Sequence, residues 1–230
     1  MNITEKITHI DGKKFYYSFL AGAKNLFDNH KLINKINVFP VPDADTGTNL
    51  ASTFQSIVDN VTPSYHIKDT SVAIADAALV GARGNSGIIF AQFLYGFSNE
   101  INDDELLNIE KFATILKKAV IYAYESIANP IEGTMITVIK DWAEFIYQIK
   151  DKTDDFIDLI IQSYEKALES LKETTNKLEV LAKNNVVDAG AQGFVFFLEG
   201  MITYFKENSL KNLVATRNPT KSEEFIDNHD

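Results

Sequence analysis

The sequence predicts an all-α protein, and two observations carry that prediction. Apolar residues recur every three or four positions through most of the chain, which is the spacing of a buried helix face. No Asn-Gly or Asp-Gly hairpin turn lies between alternating strand-like segments. With 230 residues, 45% of them hydrophobic, the chain is long enough to bury a substantial core.

The apolar stripes predict about eight helices along the chain. One stripe follows Asp11, one follows the polar run 102–104 that we expect to cap it, and two lie within 135–149 and 157–171. Four more helices are expected to start near Leu50, Ser71, Ser86 and Ala191. The expected core positions are Phe15, Phe19, Ala23, Leu26, Ile33, Ile109, Phe112, Leu116, Val120, Ala123, Ile127, Met135, Val138, Trp142, Phe145, Ile149, Ile157, Ile160, Tyr164, Ala167, Leu171 and the run Phe194–Phe197.

The composition excludes several classes of function. A net charge of −10 argues against nucleic acid and anionic membranes as the main partners. The absence of cysteine excludes disulfides, zinc–thiolate sites and thiol nucleophiles. The four histidines lie far apart and form no metal-binding pair. A phosphate ligand would therefore depend on a metal ion and backbone amides more than on basic side chains.

The ends of the chain give two expectations. The stretch MNITEKITHIDGKKF has no apolar signal-like core, and no segment reaches transmembrane length, so we expect a cytoplasmic protein without a membrane span. Residues 1–205 are expected to form one domain, and the polar residues 206–230 a tail or linker.

The segment NVFPVPDADTGTNLAS, residues 37–52, predicts a magnesium–nucleotide site. Pro40 and Pro42 favour extended neighbours, and Phe39 and Val41 are apolar enough to anchor the loop against the core. The anchored loop ends in Asp-x-Asp, and such a carboxylate pair suits Mg²⁺, which also takes ligands from substrate phosphates.

A helix start follows this carboxylate pair directly. The residues Thr46-Gly47-Thr48-Asn49 lead into an apolar helical stripe, so unpaired backbone N–H groups would lie beside the metal and could bind phosphate. The alternative is that the aspartates, threonines and asparagine are ordinary turn and helix-cap residues.

Three further glycine-bearing junctions each precede a helix. GARGNSG, residues 81–87, could bind phosphate or be a plain turn capped by Ser86. PIEGTMITV, residues 130–138, could place Met135 against a base, or Thr134 could simply cap a helix. In VVDAGAQGF, residues 186–194, Asp188 could accept from ribose hydroxyls or cap the final helix. No Walker-type GxxxxGK[ST] and no strand-borne GxGxxG is present.

Together, and in this order, the loops NVFPVPDADTGTN, GARGNSG, EGTM and VVDAGAQG resemble those of the dihydroxyacetone-kinase L-type (DAK2) domain family. Within that family the chain is most similar to the N-terminal ATP-binding domain of bacterial fatty acid kinase. The resemblance covers roughly residues 10–205. It implies an eight-helix antiparallel barrel that binds nucleotide, ATP or ADP with Mg²⁺, at one end.

The resemblance also implies roles for individual residues. Asp43 and Asp45 match the magnesium-binding, catalytic aspartates, and Asn37 stands nearest to a third aspartate of the wider family, where it could be a neutral ligand. The matching nucleotide contacts are Thr46, Gly47, Thr48 and Asn49 at the phosphates, Gly84, Asn85 and Ser86 in a second phosphate loop, Thr134 and Met135 at the adenine, and Asp188 and Gly190 at the ribose.

The chain departs from the family pattern at two places. Ala44 stands where the fatty-acid-kinase pattern usually has glycine, so we expect an ordinary backbone angle there. Related kinases carry an arginine ahead of the last loop, where this chain has Thr175 and Asn176.

The activity implied by the resemblance is phosphoryl transfer from ATP to a fatty acid carboxylate, giving an acyl phosphate for phospholipid synthesis. A separate lipid-binding protein of the DegV type would present the fatty acid. The full enzyme has further domains, through which a homodimer could form, so this chain alone is expected to bind nucleotide and to turn over weakly or not at all. Two alternatives stay open, an ADP-holding dihydroxyacetone-kinase subunit and a non-catalytic nucleotide-sensing module.

Overall fold

A computed structural model gives the structure of residues 6–207. Its helices are α1 (Gly12–Ile36), α2 (Thr46–Asn60), α3 (Ile67–Gly81), α4 (Gly84–Glu100), α5 (Ile109–Glu125), α6 (Met135–Ile149), α7 (Phe156–Lys177), α8 (Glu179–Asn184) and α9 (Ala189–Glu207). Its two short strands are β1 (His9–Asp11) and β2 (Leu106–Asn108). Of the predicted tail, only positions 206 and 207 lie within the described residues, and they continue α9. None of the helices described is long and apolar enough to cross a membrane.

The long helices close into an antiparallel barrel, which confirms the predicted fold class. Each helix from α1 to α7 packs against the next one, α7 packs against α9, and α9 packs against α1. The six-residue helix α8 lies against α7 and adds to the predicted count. Because neighbouring helices alternate in direction, α2, α4, α6 and α9 all begin at the same end of the barrel.

Aromatic side chains fill the centre of the barrel. The rings of Phe54 and Phe90 stack with their centroids 4.7 Å apart, and Phe19, Phe194 and Phe197 contact this pair from α1 and α9. All five are buried, and burying a side chain of this size contributes roughly 1.5–3 kcal/mol. The core positions predicted from the helical spacing are all buried or packed against the buried core.

The sequence pattern does not reveal the antiparallel pair β1–β2, because each strand has only three residues. The pair places Ile10 opposite Leu107 and so joins the start of α1 to the start of α5. The expected cap of α5 at 102–104 is therefore wrong. The strand intervenes, and Asn108 caps the helix by accepting from the N–H of Lys111 at 2.9 Å.

Candidate functional site

A cleft of about 490 Å³ opens at the end of the barrel where α2, α4, α6 and α9 begin. All four glycine-bearing loops predicted from the sequence contribute to its wall, and we number them in chain order as the first loop (37–52), the second loop (81–87), the third loop (130–138) and the fourth loop (186–194). The predicted site residues that line it are Asn37, Asp43, Asp45, Thr46, Asn49, Gly84, Asn85, Ser86, Thr134, Met135, Asp188 and Gly190. The fold thus brings together residues as far apart in the sequence as Asn37 and Gly190.

The two carboxylates of the first loop are separated by a residue in the left-handed region. Ala44 has a φ of 56°, so the expectation of an ordinary backbone angle there is wrong. A single residue with a Cβ adopts this conformation at a cost of about 1–2 kcal/mol. The turn leaves both Asp43 and Asp45 facing the same cleft.

Asn37, buried at the end of α1, holds the first loop through both ends of its side-chain amide. Its Nδ2 donates to Oδ1 of Asp43 at 2.8 Å and to the carbonyl of Val41 at 3.1 Å. Its Oδ1 accepts from the hydroxyl of Thr46. In this arrangement Asn37 orients Asp43, and as a metal ligand it would have to share its oxygen with Thr46.

Asp45 occupies the N-cap position of α2, but its side chain makes no capping hydrogen bond. The alternative that Asp45 is an ordinary helix cap therefore has no support. Asn34 of α1 binds this helix start instead, since its Oδ1 accepts from the N–H of Thr48 at 3.1 Å and its Nδ2 donates to the Thr48 hydroxyl at 2.9 Å. Gly47 packs closely against the His30 carbonyl. These contacts turn Thr48 and Gly47 toward α1, and neither lines the cleft.

The second loop meets the first loop through a glycine. Gly84 has a φ of 59°, and a Cβ placed on it would lie 2.6 Å from Nδ2 of Asn49. Arg83, at the N-cap of α4, gives no side-chain capping bond, and Ser86 does not cap the helix either. The first N–H groups of α4 therefore remain available to a ligand.

Asp188 ties the third loop to the fourth. Its Oδ2 accepts from the N–H of Met135 at 3.0 Å and from the N–H of Ala191 at 2.9 Å, so it caps α9 and also holds the start of α6. Burial raises the pKa of Asp188 to about 6, although the surrounding backbone N–H groups oppose this. Gly190 completes the junction, because a Cβ on it would lie 2.6 Å from Oγ of Ser86.

Thr134 does not cap α6, and Thr175 and Asn176 lie outside the cleft. Thr134 stands at the N-cap of α6, but its hydroxyl donates backwards to the Ile131 carbonyl at 2.8 Å and does not cap the helix. Thr175 donates to the Val186 carbonyl at 2.8 Å, and neither Thr175 nor Asn176 lines the cleft.

Sequence reasoning missed the apolar part of the cleft. Residues 126–129, which follow α5, and Ile131 line the cleft together with Phe39, Pro40, Val41 and the pair 88–89. The prediction that Val41 lies against the core is wrong, since its side chain faces the cleft mouth and the residue is 53% exposed. The Asn-Pro pair in IANPIEG marks a turn, but nothing in the sequence shows which surface that turn faces.

The charges of the cleft are uniformly acidic. Asp43, Asp45 and Asp188 line it, and no lysine, arginine or histidine does among the described residues. No group of three or more His, Cys, Asp or Glu side chains within 6–207 is arranged to hold a metal ion. A cation bound at Asp43 and Asp45 would therefore complete its shell with water and with oxygens of a ligand, which is how Mg²⁺ is usually held.

Comparison with known proteins gives one family and one fold. The model of the DAK2 domain matches residues 40–203. An uncharacterized protein of Staphylococcus epidermidis is 36% identical over 227 residues, which is 97% of this chain and 41% of that protein. One of Staphylococcus aureus is 37% identical over 227 residues, again 97% of this chain and 41% of the relative. The chain thus spans less than half the length of these relatives.

Solved structures show the same fold at low identity. The dihydroxyacetone kinase from C. freundii in complex with AMP-PNP and Mg²⁺ superposes with a TM-score of 0.59 at 16% identity, covering 88% of this chain and 36% of that one. The native form of that enzyme gives a TM-score of 0.53 at 15% identity, over 88% of this chain and 36% of that one.

Proposed function

Because this chain belongs to the DAK2 domain family, we propose that it binds Mg²⁺–ATP in the cleft and is the nucleotide-binding domain of a fatty acid kinase. One observation carries this proposal. The cleft is built where four helices begin, and it contains three carboxylates and no cationic side chain among the described residues. Helix starts bind phosphate through their N–H groups, and a pair of carboxylates binds Mg²⁺.

The residues of the cleft suit the parts of a nucleotide in order. Asp43 and Asp45 would hold Mg²⁺, which would neutralise phosphate charge when bound. The N–H of Thr46 at the start of α2 and the first N–H groups of α4, with Asn85 and Ser86, would bind the phosphates. The wall formed by Thr134 and Met135 would face the base, and Asp188 and Gly190 the ribose.

Phosphoryl transfer to a carboxylate requires little from the protein beyond positioning the two reactants. A carboxylate oxygen of the acceptor attacks the γ-phosphorus of ATP, the bond to the β–γ bridging oxygen breaks, and ADP leaves with that electron pair. A carboxylate is already ionised at neutral pH, so no general base is needed. Catalysis then consists of alignment and of stabilising the charge on the transferred group.

The acceptor would be a fatty acid presented by a separate lipid-binding protein of the DegV type. The apolar rim of the cleft supports an acceptor that carries hydrocarbon. Val41, Ile88 and Ile131 line the cleft and are 53%, 43% and 44% exposed. A small polar acceptor such as dihydroxyacetone would not need this apolar rim for binding.

Nucleotide binding is tested by calorimetry with Mg²⁺–ATP, Mg²⁺–ADP and ATP in excess EDTA. We expect binding of both magnesium complexes and a large loss of affinity in EDTA, because the cleft has no cationic side chain to replace the metal. Equal affinity in EDTA would contradict the proposal.

Transfer is tested by mixing the chain, Mg²⁺–ATP and a DegV-type protein loaded with fatty acid, and trapping acyl phosphate as hydroxamate. Acyl hydroxamate that depends on all three components supports the kinase function. Tightly retained ADP with phosphate supplied by a phosphotransfer protein would indicate a dihydroxyacetone-kinase subunit. Binding without transfer, also with the longer relative in place of this chain, would indicate a sensing module.

A further inference from the structure

A polar cluster lies beside the cleft and lines none of it. It consists of Tyr124 at the end of α5, Glu132 in the third loop, and Thr137 and Lys140 in α6. The Glu132 carboxylate accepts from the Tyr124 hydroxyl at 2.8 Å, from the Thr137 hydroxyl at 2.7 Å and from Nζ of Lys140 at 3.0 Å.

The buried member of this cluster is Thr137, which is 1% exposed. Its Oγ1 accepts from the N–H of Gly133 at 2.9 Å while its own proton goes to Glu132. Since a hydroxyl has one proton, donating it to Glu132 leaves the lone pairs of Thr137 directed at the backbone of the third loop. Glu132 thus fixes the orientation in which Thr137 can hold Gly133.

Gly133 is the point where the third loop bends toward the cleft. Its φ is 89°, and a Cβ on it would lie 2.5 Å from Cβ of Lys177 in α7, so the loop is pressed against a neighbouring helix. The next two residues, Thr134 and Met135, line the cleft. From the other side, Asp188 accepts from the N–H of Met135 at 3.0 Å. The loop is therefore held at Gly133 by Thr137 and at Met135 by Asp188.

We propose that Thr137, oriented by Glu132, is a positioning residue for the base-facing wall of the nucleotide site. This inference rests on the proposed function, since it assigns Thr134 and Met135 to the nucleoside part of Mg²⁺–ATP. Neither Thr137 nor Glu132 lines the cleft. Their effect is on the part of the nucleotide that meets the third loop and not on the phosphates, which meet α2 and α4.

The test compares two ligands on the folded chain, Mg²⁺–ATP and Mg²⁺–tripolyphosphate, which lacks the nucleoside. Thr137→Val keeps the shape of the side chain and removes its hydrogen bonds, while Thr137→Ser keeps the hydroxyl. We expect Thr137→Val to weaken Mg²⁺–ATP about tenfold, the equivalent of one hydrogen bond, with tripolyphosphate unchanged within about twofold. Thr137→Ser should bind both ligands like the wild type.

Glu132→Gln serves as the second variant in case Thr137→Val does not fold, and we expect it to weaken Mg²⁺–ATP about threefold, a fraction of one hydrogen bond. Glu144→Gln, an exposed change on the same helix, is the matched control and should bind like the wild type. The inference is overturned if folded variants of Thr137 and Glu132 bind Mg²⁺–ATP unchanged, or if they lose both ligands by the same factor. A wild type that binds neither ligand would overturn the proposed function as well.

Discussion

The side-chain amide of Asn37 donates to Oδ1 of Asp43 at 2.8 Å. Asn37 is 4% exposed, whereas Asp43 is exposed at the cleft mouth, so a buried residue at the end of α1 fixes the direction of a solvent-facing carboxylate. The same amide nitrogen binds the Val41 carbonyl. An asparagine can donate in this way and an ionised aspartate cannot, so an aspartate at position 37 would lose both of these hydrogen bonds.

Asn37→Asp should lower the free energy of unfolding in the absence of metal. The new carboxylate cannot donate to Asp43 or Val41, and it faces another carboxylate, so we expect a loss of about 1–3 kcal/mol. Mg²⁺ should restore part of it by bridging the two carboxylates. Urea denaturation with and without Mg²⁺ measures both effects. Asn129→Asp, which adds the same charge elsewhere on the cleft wall, is the control, and equal stability of Asn37→Asp and wild type without Mg²⁺ would contradict the prediction.

Ala44→Gly should stabilise the protein. Glycine removes the cost of about 1–2 kcal/mol for a left-handed residue with a Cβ, and it loses about 0.5–1 kcal/mol through its freer unfolded state. The net expectation is a gain of about 0.5–1 kcal/mol, measured by chemical denaturation. Ala44 is exposed, so lost packing does not obscure the comparison.

Ala82→Gly is the matched control for this change. Its φ is −57°, so glycine relieves no strain there and should destabilise by at least about 0.5–1 kcal/mol, since this half-buried alanine also packs against the core. If both substitutions destabilise the protein equally, the left-handed conformation at Ala44 carries no strain.

Ala44 also shows where sequence reasoning stops. Helix number and buried faces follow from local apolar spacing, which is why the core positions on α1, α5, α6 and α7 could be predicted. The backbone angle at Ala44 is imposed by the surrounding turn, and alanine as a residue type argues against it. Likewise, Val41 has a side chain typical of the core, and only the fold places it at the mouth of a cleft.

The residues of the candidate site could be predicted where a local sequence pattern marks a helix start. Asp43, Ser86, Met135 and Asp188 each lie at a helix start, and alternating helix directions then bring those starts together. Residues 126–129 could not be predicted as cleft residues, since they follow the end of a helix and carry no glycine or acidic signal. The hydrogen bonds from Asn34 that turn Thr48 away from the cleft could not be predicted from the sequence either, because they join different helices.

The substitution Asp45→Asn distinguishes a role of Asp45 as a metal ligand from a role as a helix cap. Asp45 makes no capping bond, so the substitution should leave the unliganded protein as stable as before, or slightly more stable through reduced repulsion with Asp43. If Asp45 binds Mg²⁺, the dissociation constant of Mg²⁺–ATP should rise at least tenfold, which removes about 1.4 kcal/mol of ligand stabilisation. Thermal unfolding with and without Mg²⁺–ATP measures the difference.

The control for Asp45→Asn is Asp76→Asn, an equal loss of charge at an exposed position of α3 outside the cleft. It should keep the full Mg²⁺–ATP shift. An undiminished shift in Asp45→Asn as well would end the assignment of Asp45 to the metal.

Asp188→Asn should change how stability depends on pH. Burial raises the pKa of Asp188 from 3.8 to about 6, so the native state holds this proton more tightly than the unfolded state does. Between pH 4 and pH 6 the unfolded chain ionises this carboxyl while the native state still holds its proton, so the free energy of unfolding falls with rising pH, by at most about 3 kcal/mol for two pKa units. Asparagine stays neutral and can accept from the same N–H groups.

The free energy of unfolding of Asp188→Asn, relative to wild type, should consequently rise from pH 4 to pH 6 and stay level up to pH 7. Carboxylates common to both proteins cancel in this difference, which includes Glu100 and Glu132, whose hydrogen-bond partners hold their pKa values below the usual range. Urea denaturation at pH 4, 5, 6 and 7 measures it. Parallel curves would mean that Asp188 is ionised in the folded protein throughout this range, held by the N–H groups of Met135 and Ala191 strongly enough to offset its burial.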